Sequence, residues 1–440
     1  MFVSTFQVLK LDEISNERRQ TILRRSRYDI SKIEPDVRKI MADMKERGDE
    51  CTAEFLSGQV GRKVSPSEIV VKQQDISEAY RKIGKDTIRA IRRHVRNVRL
   101  FHRKQLPKPF TVQIEKGVFA GQLVVPLDSA GLYVPSGKAS YPSVAGMTTT
   151  AASVAGVPRI AVASPPSGND MRMDPATLVA AHMAGGSEFY VMGGTHAIAA
   201  FAFGTKLVKP VSCIAGPGGA WTFVAKRLAS DLVRLDLPAG PSEALVYSDG
   251  TVNATQVAWD VLNEAEHGPD SAGVLVTTSL DFAEQVAAKI EEALASLPEP
   301  RASFVKENAS KYSAIIVCSN EREAVNFINE YAPEHLCMDC RSPGRFISKK
   351  MLTNFGTICL NTPISAGNFG VGPNSTLPTG GYARLFSGLS PDAFLKKPTV
   401  EEFRGKSWKS FGKNVIKLAE YEGFPSHAKA METKLKEIRG

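Results

Sequence analysis

The run QLVVPLDSAGLYVPSGKASYPSVAGMTTTAASVAGVPRIAVASPP, residues 122–166, decides the fold class. Short apolar runs around Val124, Leu132 and Ile160 are strand-length, and the small-residue segment before Val157 is long enough for a helix. Parallel strands can be joined only by a crossover, so strand, helix-length segment and strand together imply a β-α-β unit. The texture continues outward through EFYVMGG (188–194), VSCIAGPGG (211–219) and LVYSDG (245–250). It recurs from Thr251 to about Leu385, with a helix near Gln256 to His267, AGVLVTT (272–278), a helix from Ala283 to Leu297 and AIIVCS (314–319). The chain is therefore α/β with two parallel modules. Ligands in such sheets bind beyond the carboxyl ends of the strands, where the Gly-rich loops fall.

Upstream, apolar residues at three- and four-residue spacing predict helices over Asp36–Arg47, Ser77–Ile83 and Asp86–Gln105, with Gly48 and Gly84 as stops. The last 50 or so residues are again expected to be helical. Net charge is +9. Residues 1–130 carry 26 Lys and Arg against 17 Asp and Glu, so the whole excess lies there. It peaks at Arg89, Arg92, Arg93, Arg96, Arg99, Arg103 and Lys104, around the apolar stripe of Ile88, Ile91, Val95, Val98 and Phe101. Without aromatic interleaving or a binding motif, this reads as a solvated helix face rather than a nucleic-acid surface. No stretch approaches the ~20 continuous apolar residues of a membrane helix. The first twenty residues lack the apolar core of a secretory signal. A cytoplasmic enzyme is expected, acting on a small molecule, with no nucleic-acid or membrane partner.

The chemistry-bearing motifs are few. GLYVPSGKAS resembles a P-loop but has five residues between Gly131 and Gly137, and Ala139 where a magnesium-binding hydroxyl belongs. No G-x-G-x-x-G occurs. Cys337 and Cys340 form a lone C-x-x-C, read as thiols on a strand. Glu264 and His267 are spaced i, i+3 at a helix end and project from one side, a geometry able to hold a metal. Glu334 and His335 put a carboxylate beside an imidazole, equipment for proton transfer near neutral pH. His94, His102 and His182 sit on amphipathic stretches and read as structural.

The ordered series GLYVPSGKASYPS (131–143), VAGVPRIAVASPP (154–166), GGTHAIAAFAFGT (193–205), IAGPGG (214–219), AGPSEALV (239–246), NEAEHGPDS (263–271), YAPEHL (331–336), NSTLPTGGYAR (374–384) and EGFPSHA (422–428) resembles the histidinol dehydrogenase family across nearly the whole chain. The resemblance implies two incomplete Rossmann-like modules: a first domain from 31–129 plus 243–385 and a second from 130–242. A helical arm (1–30) would precede them and a helical segment (386–440) follow. It also implies a homodimer with a shared active site, bound zinc, and two successive NAD-dependent oxidations from alcohol through aldehyde to acid.

Carried over, the zinc ligands fall on Glu264, His267, Asn368 and His427. The family pattern has Gln at the first of these and Asp at the third, so one carboxylate is lost and one gained. The shell keeps oxygen and imidazole donors that zinc accepts. Glu334 and His335 match the catalytic dyad, and Ser242 and Glu422 match substrate positions. Ser375 stands where the family has a histidine near the substrate. At the cofactor loops Tyr133 is kept, while His196 and Gly219 replace amide side chains. Each lost amide removes polar contacts worth ~0.5–1.5 kcal/mol. Changes gathered in the pocket suggest an alcohol other than histidinol, as in relatives that act on sulfopropanediol. The rival expectation is an inactive homologue serving as a binding protein, against which the retained Glu334, His335, His267 and His427 argue.

Overall fold

The computed structural model describes residues 4–25 and 30–437. Among the described residues there are sixteen strands. In chain order the first eight are β1 Val8–Lys10, β2 Phe110–Glu115, β3 Val118–Gln122, β4 Val125–Pro126, β5 Ser129–Tyr133, β6 Arg159–Ser164, β7 Glu188–Val191 and β8 Cys213–Ala215. There follow β9 Arg234–Leu235, β10 Glu243–Ser248, β11 Ala272–Thr277, β12 Ala314–Val317, β13 His335–Asp339, β14 Thr357–Leu360, β15 Leu395–Lys396 and β16 Thr399–Phe403. The chain divides into two compact units, one of residues 1–105 and 127–394, the other of residues 106–126 and 395–440.

The larger unit contains two parallel sheets. One has the order β1-β12-β11-β10-β13-β14, the other β7-β6-β5-β8-β9. In the six-stranded sheet successive residues feed opposite cores, as a period of two demands. Ala244, Val246, Leu275, Ile315 and Cys337 pack under helices Ala254–Ala265 and Leu280–Leu294. Leu245, Val274, Ile316, Leu336 and Met338 pack under helix Glu321–Tyr331. Burial on both faces explains why these strands read as continuous apolar runs.

The three helices expected upstream are present as Glu34–Arg47, Gln73–Lys82 and Lys85–Gln105. Gly48 ends the first at φ 54°, its N–H donating to Met44 O. Helices Asn16–Arg24 and Asp49–Val60 also form. The arm is not wholly helical, because β1 pairs with β12 at the sheet edge. Helix Lys85–Gln105 buries Ile91, Val95 and Val98 together with His94 and His102, and turns its arginines outward. Both histidines are hydrogen-bonded in place, His94 to Phe369 O and His102 to Gln105. His182 is exposed beside Tyr80.

In the smaller unit, β16, β3 and β2 form an antiparallel sheet and β15 pairs with β4. The C-terminal segment expected to be helical therefore begins with two strands, and helices Lys409–Tyr421 and Pro425–Glu437 follow. TVEEF has the β-branched Thr399 and Val400 and the aromatic Phe403, a weak strand signal within an otherwise polar stretch. Among the described residues no helix is long and apolar enough to cross a membrane.

Candidate active site

Both sheets reverse their strand order beside a central strand, and the cleft forms at those switch points. In the five-stranded sheet the reversal lies between β5 and β8. Beyond their carboxyl ends stand Tyr133 and the loop Gly216–Gly219, which leads into helix Ala220–Leu228. Gly216 has φ 119°, and a Cβ there would sit 2.1 Å from Tyr133 O. Buried Lys226 pairs with Asp236, whose second oxygen accepts from Gly216 N at 2.8 Å, so an ion pair holds the loop's shape.

The six-stranded sheet contributes from the opposite end. Ser242 precedes β10, and Glu334 and His335 open β13, all at the amino ends of their strands. Helix Ala254–Ala265 returns to the same edge, bringing Glu264 in its last turn and His267 two residues beyond. These candidate residues stand at amino ends, whereas the sequence pattern predicts ligands beyond the carboxyl ends of the strands.

Alternation along β13 aims His335, Cys337 and Asp339 at the helix Ala254–Ala265, where Asp260 and Glu264 share one side. Two contacts follow. Near the cleft, His335 Nε2 lies 3.0 Å from Asn368 Oδ1, and Asn368 Nδ2 donates to Glu264 Oε1 at 2.6 Å. Glu264 Oε2 is 3.3 Å from His267 Nε2, and His335 Nδ1 is 3.5 Å from Glu334 Oε2. Asn368 stands in a single π-helical turn, Gly367–Val371. Such turns recur at functional sites.

Deeper in, Asp260, Cys337 and Asp339 converge, all buried, with ligand atoms within 4.8 Å of one another. Burial raises both carboxyls, Asp339 to about 6, and the neighbouring Asp260 charge adds to the rise at Asp339, so Asp339 favours its protonated form more than a free carboxyl does. Cys340 faces the other core, so Cys337 and Cys340 do not act as a pair. All six cysteines are free and buried.

Electrostatics separates the dyad. Burial pushes Glu334 up to about 7. Burial also disfavours the charged form of His335, yet the charges of Glu264 and Glu334 outweigh it and raise the imidazole well above its ordinary value. Burial opposes ionisation of Glu264 as well, but the two histidines beside it hold it below the usual carboxylate range. Glu264 and His267 thus bring a carboxylate and an imidazole within 3.3 Å of each other, ligand types that zinc accepts. Asn368 turns its Nδ2 to Glu264 and its oxygen to His335, so its oxygen would join them only if the amide rotated.

Tyr133, Gly219, Ser242, Glu264, His267, Glu334, His335, Asn368 and Ser375 all line one cleft of about 460 Å³. His196 is elsewhere, its ring stacked on Phe55 at 4.0 Å and 5% exposed. Glu422 and His427 lie in the smaller unit, both exposed. Residues not anticipated at the cleft include Lys138, paired with Asp270 at 2.9 Å, and Tyr141. Lys138 lies inside GLYVPSGKASYPS, the signal that would have found it.

A parallel α/β scaffold whose cleft joins one buried Glu–His pair to a second Glu–His pair through an amide has the make-up of an enzyme site. The family model described as histidinol dehydrogenase matches residues 23–435. A histidinol dehydrogenase of Methanothermobacter thermautotrophicus is 38% identical over 98% of this chain and 100% of its own length. A histidinol dehydrogenase homolog of Rhizobium meliloti is 39% identical over 98% and 94%. The crystal structure of histidinol dehydrogenase from Elizabethkingia anophelis superposes with a TM-score of 0.92 at 30% identity, covering all of both chains. The chain belongs to the histidinol dehydrogenase family, whose members are NAD-dependent oxidoreductases.

Proposed function

We propose that this protein is a zinc-dependent, NAD-linked dehydrogenase that oxidises a small polar primary alcohol through its aldehyde to the acid. The observation that carries this reading is the contact between the dyad and the donor set through Asn368. Glu264, His267 and Asn368 would hold the zinc, with His427 as the fourth ligand that family resemblance assigns. Bound there, zinc would supply Lewis acidity towards the substrate's polar atoms, and bound NAD would take up the hydrides.

Hydride leaves readily only from an alkoxide-like carbon, so a base must take the hydroxyl proton. His335 would do so at Nε2, which in the structure donates to the amide oxygen of Asn368 and becomes a base once that proton is lost and Asn368 turns away. The charge of Glu264 is the strongest influence keeping His335 protonated, and engaging that carboxylate with a cation frees the imidazole to accept a proton. Glu334, raised towards neutrality by burial, takes the proton of the water that adds to the aldehyde. Ser242, Ser375 and Glu422 contact substrate, while Tyr133 and the loop ending at Gly219 face the cofactor. His196, turned into a buried stack, is withdrawn from that role.

A homodimer is part of this reading. The smaller unit exposes Phe110, Val112 and Ile114 on β2 and Leu418, Tyr421 and Phe424 near its C-terminal helices, apolar area suited to a second copy. Buried free thiols suit the reducing cytoplasm. L-Histidinol itself is a second reading, favoured by the relative at 38% identity that bears that name. The test is metal analysis together with NAD reduction on L-histidinol and a panel of amino alcohols and diols. Zinc near one per chain and turnover on one alcohol are expected. Absence of both would leave an inactive homologue.

A further inference from the structure

Behind the dyad lies a buried cation that the reaction does not consume. Arg25, 6% exposed, ends helix Asn16–Arg24 with φ 49°. Its guanidinium stacks 3.5 Å above the Tyr331 ring and donates to Tyr331 O at 2.7 Å and Ala332 O at 3.3 Å. Nη2 donates to Glu243 Oε1 at 2.8 Å, and Nε lies 2.7 Å from Oε2. Glu243 in turn accepts from Glu334 N at 3.2 Å and Gly380 N at 3.1 Å. The arrangement is reciprocal, because Glu334 Oε2 accepts from Glu243 N at 2.9 Å.

Ala332, at φ 50°, occupies a left-handed conformation costly for a residue with a Cβ. It lies two residues before Glu334, in the turn that aims the dyad into the cleft. Arg25 bonds that turn on its carbonyl side, and Glu243 bonds it at Glu334 N. Glu243 and Glu334 are neighbouring buried carboxylates, and two adjacent anions without a cation would repel. We propose that Arg25, acting through Glu243 and the Tyr331–Ala332 carbonyls, is a positioning residue that fixes Glu334 and His335 for proton transfer. A buried ion pair is weak evidence for stability; the geometry assigns this one to orientation. This inference rests on the dyad's proposed role.

The test uses the full chain with Arg25→Met, Arg25→Lys and Glu243→Gln. The readouts are zinc content, thermal unfolding, steady-state NAD reduction on L-histidinol and the panel alcohols, and NMR of protein carrying ¹³Cε1-labelled histidine. The His335 resonance is the one missing from His335→Gln. Arg25→Met is expected to shift that resonance alone and to lower kcat on the order of 10²-fold with KM nearly constant, the scale of a small misplacement. Arg25→Lys, which keeps the charge, is expected to recover about tenfold of that loss. If Arg25→Met does not fold, Glu243→Gln supplies the same comparison. An unmoved His335 resonance in a folded variant overturns the proposal, as does a kcat loss that matches the loss of folded protein. If the wild type turns over no alcohol, the functional reading fails, and the resonance still decides whether Arg25 orients the dyad.

Discussion

His335 and Glu264, 71 positions apart in the chain, are joined through one amide: Asn368 Oδ1 is 3.0 Å from the imidazole Nε2 and Nδ2 is 2.6 Å from the carboxylate. An amide suits this place because it satisfies an N–H on one side and an anion on the other at once.

In that bridge the amide oxygen is turned to His335, so Asn368 can hold a metal beside Glu264 only by rotating its amide, and this is testable. Asn368→Leu keeps the volume and removes the oxygen, so zinc should leave faster on dialysis against chelator. The loss should be at least as large as the roughly 10–100-fold in affinity that losing an outer partner of a ligand costs. Asn368→Asp adds an anion beside Glu264 and should retain zinc more tightly than wild type. Metal content measured against dialysis time checks both. An Asn368→Leu variant that keeps zinc like wild type would remove Asn368 from the site.

A second prediction concerns how the helix bearing Glu264 and His267 is seated. Gly273 in β11 touches that helix so closely that a Cβ would lie 2.2 Å from Val261 O. Backbone cannot yield as a side chain can, so Gly273→Ala must push the helix away. The expected cost is at least the roughly 1–3 kcal/mol of ordinary overpacking, with loss of zinc in the same variant. Denaturant unfolding and metal analysis together test it. A stable variant with full zinc would show that the helix is free to shift.

Gly273 also shows what the sequence could not reveal. AGVLVTT reads as a buried parallel strand, but nothing in it says which helix lies against the glycine. Periodicity located most elements and missed those whose cause is tertiary. β1 is three residues that become a strand only because β12 offers an edge. The Glu264–His267 spacing was legible because i, i+3 geometry is local. Contact between Asn368 and Glu264 was legible only through the family resemblance, since a π-helical turn after a loop leaves no repeat to read. Arg25 was hidden for the same reason, its partner lying 218 positions away. His196 was legible only in part, because its motif implied a cofactor contact while its packing against Phe55 lies outside the motif.

The buried carboxyl pair below the dyad predicts an acid-side gain in stability. Burial, then the neighbouring Asp260 charge, raise Asp339 to about 6 from an ordinary 3.8. The folded state therefore holds a proton that the unfolded state has released, and stability falls as pH rises from about 4 to about 6. Asp339→Asn keeps a donor for Asp260 without needing the proton. It should stabilise the protein at pH 7 by on the order of 1–3 kcal/mol and have little effect near pH 4. Unfolding curves at the two pH values check the difference. Equal effects at both would mean that Asp339 holds no such proton.

His196 predicts a slope of the opposite sign over an overlapping range. Burial against Phe55 lowers its imidazole to about 4, so the folded state keeps the ring neutral while the unfolded chain protonates below about 6.5. Its contribution is present above pH 6.5 and is lost as pH falls towards 4, by at most roughly 3 kcal/mol. The wild-type profile sums this loss with the opposing gain from Asp339, so neither appears cleanly in it. His196→Phe preserves an aromatic partner for Phe55 and removes the proton site. The wild-type-minus-variant difference should therefore be flat above pH 6.5 and fall steadily below it. The same variant should bind NAD with unchanged affinity, because a ring turned into the core has no contact to lose. A calorimetric titration with NAD that showed weakened binding would return His196 to the cofactor site and require the Phe55 stack to open when the cofactor arrives.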